Sequence, residues 1–87
     1  MFLKRGQFNK EQTVNDSQPI LMTPEGKSFQ VTYMSAFIWE ELDGKTTVLD
    51  VSKKIENTSK VNKPELSNIV ESIILQLKDV GLVSVVS

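Results

Sequence analysis

Leu66, Ile69, Val70, Ile73, Ile74, Leu77 and Val80 recur at helical spacing near the C-terminus and form one very wide apolar face. A stripe that broad has to be covered by other parts of the fold, and the whole chain has 87 residues. Covering it consumes the apolar side chains in a single thin core. The expectation is one domain spanning residues 1–87, with little room for a deep catalytic cavity. This helix is predicted over 63–80. Asn62-Lys63-Pro64-Glu65 supplies a cap, a first-turn proline and an early acid, and Gly81 ends it. On its arc, Leu66, Val70, Ile73, Leu77 and Val80 fall at the centre and read as core. Ile69 and Gln76 lie at one margin with Ser72 just beyond, Ile74 lies at the other, and Leu75 points away.

The layers that cover this face can be read upstream. Gln7 to Val14 alternates weakly and suggests one edge strand, followed by the turn composition of Asn15-Asp16-Ser17-Gln18-Pro19. Ile20-Leu21-Met22 is too short a run for a helix. Thr23-Pro24-Glu25-Gly26-Lys27 reads as a tight hairpin turn, with proline presetting one corner and glycine closing it. Phe29-Gln30-Val31-Thr32-Tyr33 then alternates strictly, which places a strand there with Phe29, Val31 and Tyr33 on one face. A two- to three-stranded antiparallel sheet is therefore predicted over about 7–33.

Helical spacing takes over after Tyr33. Met34, Ile38 and Leu42, with Trp39 beside them, predict a helix over about 34–43 that Asp43-Gly44 stops. Thr47 followed by Asp50 approximates a capping box and opens a second helix over about 47–57, with Val48, Val51 and Ile55 on its buried stripe. Asn57 to Val61 reads as a loop, and Leu82 to Ser87 suits a short closing strand. The fold class is α+β: a small antiparallel sheet followed by three helices.

Composition excludes more than it suggests. With 10 basic and 11 acidic residues the net charge is −1, without the basic excess of a nucleic-acid or polybasic membrane binder. The chain has no cysteine and no histidine. It therefore lacks a thiolate nucleophile, a thiolate or imidazole metal site and the commonest general base. We expect no catalytic residues, no metal and no cofactor. No apolar run approaches the ~20 residues of a membrane span. The basic pair in "MFLKRGQFNK" is not followed by a signal-like apolar stretch, so a cytoplasmic protein is expected.

Ile38-Trp39-Glu40-Glu41-Leu42-Asp43-Gly44-Lys45-Thr46-Thr47-Val48 closely resembles the I-W-x-x-(L/I)-D-G-x-x-T-(V/L) signature of PqqD-like proteins. Leu77-Lys78-Asp79-Val80-Gly81-Leu82-Val83 resembles the same family's closing L-x-x-x-G-L-(V/I), and the Pro24 to Phe29 hairpin fits its turn into the third strand. The chain departs from the family at Thr32-Tyr33-Met34, where Asn-x-Thr is common, and at Ile69, where an acid is common. The resemblance implies a winged-helix-like domain that recognises precursor peptides of the ribosomally made, post-translationally modified class. Such a domain is a non-catalytic adaptor that binds a leader peptide and presents the precursor to a modifying enzyme, as in radical SAM or lasso-peptide systems. The leader would add as a strand beside Phe29, Gln30, Val31, Thr32 and Tyr33. It would lie against the third helix at Ile69, Ser72, Ile73 and Gln76.

Other readings compete with these. Trp39 suits a core plug or a peptide-stacking platform. Lys53, Lys54, Lys60 and Lys63 suit a solvated face or a cluster that steers an acidic partner. The rival function is a winged-helix DNA-binding regulator. Against it, the third helix carries Lys63 and Lys78 beside Glu65, Glu71 and Asp79, with no arginine to grip phosphates.

Overall fold

The computed structural model describes residues 1–9, 18–59 and 65–86. Strand β1 (Phe2–Lys4) is followed by β2 (Gln7–Phe8), β3 (Ile20–Met22) and β4 (Ser28–Gln30). Helices α1 (Tyr33–Glu40), α2 (Val48–Ser59) and α3 (Leu66–Asp79) come next, and β5 (Val83–Val85) closes the chain. The α+β order of strands followed by three helices is present. The described strands form two antiparallel sheets, one of order β2-β3-β4 and one pairing β1 with β5. In the second, Phe2 faces Val85 and Lys4 faces Val83. The closing strand thus pairs with the extreme N-terminus, a segment without a clear pattern of its own. The predicted turn over Asn15 to Ser17 and the predicted cap Asn62-Lys63-Pro64 lie outside the described residues.

The hairpin forms as expected, with Thr23 N–H donating to Lys27 O (2.7 Å) and Gly26 N–H to Thr23 O (2.9 Å). The loop expected from Asn57 begins later, because α2 continues to Ser59, and three expectations around α1 need correction. The strand after the hairpin stops at Gln30, because Thr32 Oγ1 accepts from Ser35 N–H at 3.0 Å and caps α1. Tyr33 is therefore the first helical residue and not a strand residue. Next, α1 ends at Glu40, before Asp43-Gly44. That pair instead docks on β1: Gly44 N–H donates to Phe2 O at 3.0 Å, and Asp43 bridges Leu3. Finally, Met34 is exposed while Ala36, Ile38 and Trp39 are buried, so the inward face of α1 is rotated from the predicted stripe.

Helix α2 opens on the expected capping box. Thr47 N–H donates to Asp50 Oδ2 (3.2 Å) and Asp50 N–H to Thr47 Oγ1 (3.1 Å). Val51 and Ile55 are buried on its inner face. On α3 the core arc is Leu66, Val70, Ile74 and Leu77. Ile74, predicted at a margin, is fully buried. Ile73 is half-buried, and Val80, predicted as core, is exposed because the helix turns into its C-cap there. Gly81 (φ 92°) ends the helix: its N–H donates to Lys78 O and Leu82 N–H to Leu77 O, the two bonds of a Schellman motif.

Trp39 is 3% exposed, a core residue. It plugs the meeting point of the chain's ends, not the junction of the helices alone. Its indole N–H donates to Leu82 O (2.9 Å) and to Arg5 O (3.2 Å). Phe8 meets the ring edge-on at 5.2 Å, and Lys4 Nζ lies 5.3 Å from its centroid.

Gly6, between β1 and β2, has φ +84°, and a Cβ there would fall 2.0 Å from Met22 O. Gly6→Ala should cost about 2 kcal/mol or more, from the left-handed backbone and displacement of β3. The check is a lower urea midpoint at unchanged slope.

Asp43 is held below the ordinary carboxylate pKa of 3.8 by the Lys45 N–H, then by the Thr46 hydroxyl and N–H. Asp50 is held below it by the Thr47 N–H and hydroxyl. A depressed folded pKa contributes stability that is complete above the unfolded value and lost as pH falls through the folded one. Stability should therefore fall on acidification below about pH 4. Asp43→Asn with Asp50→Asn should flatten that decline in thermal melts across the acid range.

Candidate functional site

The outer edge of the three-stranded sheet is β4, and its backbone geometry decides what it offers. At one end Thr23 N–H bonds Lys27 O, and at the other Val31 N–H bonds Pro19 O at 2.9 Å. Backbone groups alternate sides along a strand. Lys27 and Val31 are directed at β3, so Phe29 is as well, opposite Leu21. The N–H and C=O of Ser28 and Gln30 then point to the open side. That is the spacing an incoming strand needs to close a narrow hydrogen-bonded ring at each.

Beside this edge lies an open trough of about 280 Å³, lined by Phe29, Gln30, Val31, Thr32, Ser35, Ile73, Gln76, Leu77 and Val80. Its floor is apolar, its rim carries amide and hydroxyl groups, and among the described residues no lining side chain is charged. Ile73 and Val80 line it because α3 presents its core through Val70, Ile74 and Leu77, which leaves the 73–76–80 flank turned toward β4.

Of the residues predicted to contact a peptide, the structure brings Phe29, Gln30, Val31, Thr32, Ile73 and Gln76 into this trough. Ser72 and Ile69 do not line it. Ser72 is exposed, and Ile69 (41% exposed) sits one turn before Ile73 on the same flank. Tyr33 belongs to a different trough between α1 and α2, with Met34, Phe37, Ile55 and Thr58. Sequence reasoning missed Ser35, Leu77 and Val80, the last two of which read as core. The spacing from Thr32 to Ser35 was the available signal for Ser35, as a helix cap places both on one side of the first turn.

Lys53 and Lys54 are exposed, and Lys54 is paired with Glu41, which together with the hydrogen bond raises its pKa. Lys60 and Lys63 lie outside the described residues. Among the described residues, no cluster of acidic side chains is arranged to hold a metal ion, and no helix is long and apolar enough to cross a membrane.

The model of the family described as "Coenzyme PQQ synthesis protein D (PqqD)" matches residues 19–83, which span β3, β4, all three helices and the start of β5. The chain belongs to the PqqD family. Membership implies a peptide-binding accessory protein in the biosynthesis of PQQ or another ribosomally made, modified peptide, and family members are non-catalytic. No curated protein and no solved structure matches this PqqD-family chain. Strands β1 and β2 precede the matched region, so the N-terminal pairing with β5 and the Phe8 contact to Trp39 lie outside it.

In the free protein, the amides of Ser28 and Gln30 should exchange with solvent at least about tenfold faster than those of Phe29 and Val31. Residue-resolved hydrogen exchange reads this directly, and equal rates at all four would contradict the assigned alternation.

Proposed function

We propose that this chain is a one-domain, cytoplasmic, non-catalytic adaptor. It binds the leader segment of a ribosomally made precursor peptide and presents the rest to a peptide-modifying enzyme of the radical SAM or lasso-peptide type. The observation that carries this reading is the open β4 edge, with Ser28 and Gln30 facing outward above an uncharged trough. Main-chain pairing at an edge gives affinity that is largely independent of sequence, and alternate side chains entering pockets give selectivity. A leader residue opposite Phe29 would point into the trough toward Ile73 and Val80, where a charged side chain would find no partner. Among the described residues the exposed charges on and just before α3 (Glu65, Glu71 and Asp79 against Lys78) do not favour phosphate contact, so the DNA-binding reading gains nothing.

Titration with the leader of the cognate precursor tests the proposal. Binding should protect the Ser28 and Gln30 amides and shift the resonances of Ile73, Gln76 and Val80. Val80 is 38% exposed, so Val80→Asp should leave the fold intact. It should weaken binding by about 1–2 kcal/mol or more, because the charge has to be desolvated against apolar anchors. Shifts confined to the β1–β5 sheet and the Asp43 to Thr46 turn, with β4 silent, would rule the site out.

A further inference from the structure

The second trough, between α1 and α2, has no part in strand addition, yet it is as large as the first at about 300 Å³. Its origin lies in the composition of α1, Tyr-Met-Ser-Ala-Phe-Ile-Trp-Glu. Ala36, Ile38 and Trp39 face the core, while Tyr33 (65% exposed) and Met34 (43% exposed) face outward with Phe37 half-buried between them. A helix that is apolar on both sides is one that is covered on both sides, and here no described residue covers the outer side. Among the described residues, the trough that these form with Ile55 and Thr58 has no charged lining residue. The nearby Lys54 and Glu41 are paired with each other. It therefore suits an uncharged aromatic or long aliphatic side chain, with the Met34 thioether available to a ring. It is of side-chain scale: a stable dimer engages about 20–30 residues a side.

Which occupant it takes follows from continuity. Thr32 and Ser35 line the first trough, and Tyr33 and Met34 line the second, so the two are separated only by the first turn of α1. Beyond Gln30 the chain passes through Val31 and Thr32 directly into that turn. A strand added to β4 and prolonged past Gln30 runs onto it. Crossing a helix about 10 Å in diameter takes about three extended residues. We propose that a peptide bound along β4 continues over the N-terminus of α1 and places a second, apolar anchor in the trough formed by Tyr33, Met34, Phe37, Ile55 and Thr58. This rests on the strand-addition reading and extends it to a two-anchor ligand. The anchors are an apolar residue within the added strand and another roughly three or four residues outside it, on the Gln30 side.

The probe is a peptide selected by the full chain from a displayed random library long enough to span both troughs. Gln30→Pro deletes an outward N–H without touching the bonds to β3, and so reports on strand addition. Met34→Glu and Thr58→Arg place a charge in the second trough from opposite walls. Both positions are exposed, and unchanged melting verifies the fold. The expected result is loss of binding in Gln30→Pro and about tenfold weaker binding in each trough variant. Shortening the peptide on its outer side should cost about as much, and the shortened peptide should no longer respond to Met34→Glu. Loss in Gln30→Pro with Met34→Glu and Thr58→Arg within twofold of wild type would overturn the second anchor and leave strand addition standing. Full binding in all three would overturn both. A concentration-dependent dimer dissolved by Met34→Glu would make a second copy the occupant and overturn the inference.

Discussion

The Trp39 indole N–H holds together parts of the chain that no local rule would join. One donor is shared by the carbonyls of Arg5 and Leu82, so the crossover after β1 and the residue leading into β5 are both tied to α1. The Leu82 carbonyl accepts the Arg5 N–H as well (2.8 Å), so the indole closes a small network that joins the two ends of the chain to α1. The ring does the rest: Phe8 packs on it edge-on, which brings β2 against α1. Because β2 pairs with β3 and β3 with β4, the position of the outer edge is inherited from this contact. Gly6 completes the arrangement, since no Cβ fits between the crossover and Met22.

The candidate site is a consequence of how abruptly the sheet ends. β4 has three residues before Val31 and the Thr32 cap turn the chain into α1. Such brevity is one way in which proteins keep an open edge from indiscriminate pairing. The turn also sets α1 between two open surfaces, one shared with β4 and α3 and the other with α2. Among the described residues both are lined without charge and are apolar-floored, which does not favour selection by long-range electrostatics. Selectivity at such surfaces comes from shape and from the penalty on burying a charge.

The element types were legible in the sequence wherever a period or a cap was strong. The hairpin at Pro24 to Lys27, the Thr47–Asp50 capping box and the Gly81 stop all involve bonds between residues a few positions apart, and local chemistry decides them. The family signature is built on the same local elements, and it was readable for that reason.

One miss was local as well: alternation prolonged β4 to Tyr33, and the Thr32 cap bond to Ser35, three residues on, ends it at Gln30. Tertiary packing decided the rest. The arc of α3 put Ile73 at the centre and Ile74 at a margin, and the structure reverses the two. A helix face this wide does not say which flank meets its neighbours, and packing against α1, α2 and β5 buried Ile74 and turned Ile73 toward β4. Likewise Asp43-Gly44 reads as a helix stop until β1 is present to accept the Gly44 N–H. By itself the sequence determined the types of the hairpin strands, the three helices and the closing strand, since those depend on neighbours along the chain. Which backbone edge and which helix flank stay open depends on partners dozens of residues away, and only the folded chain brings those together.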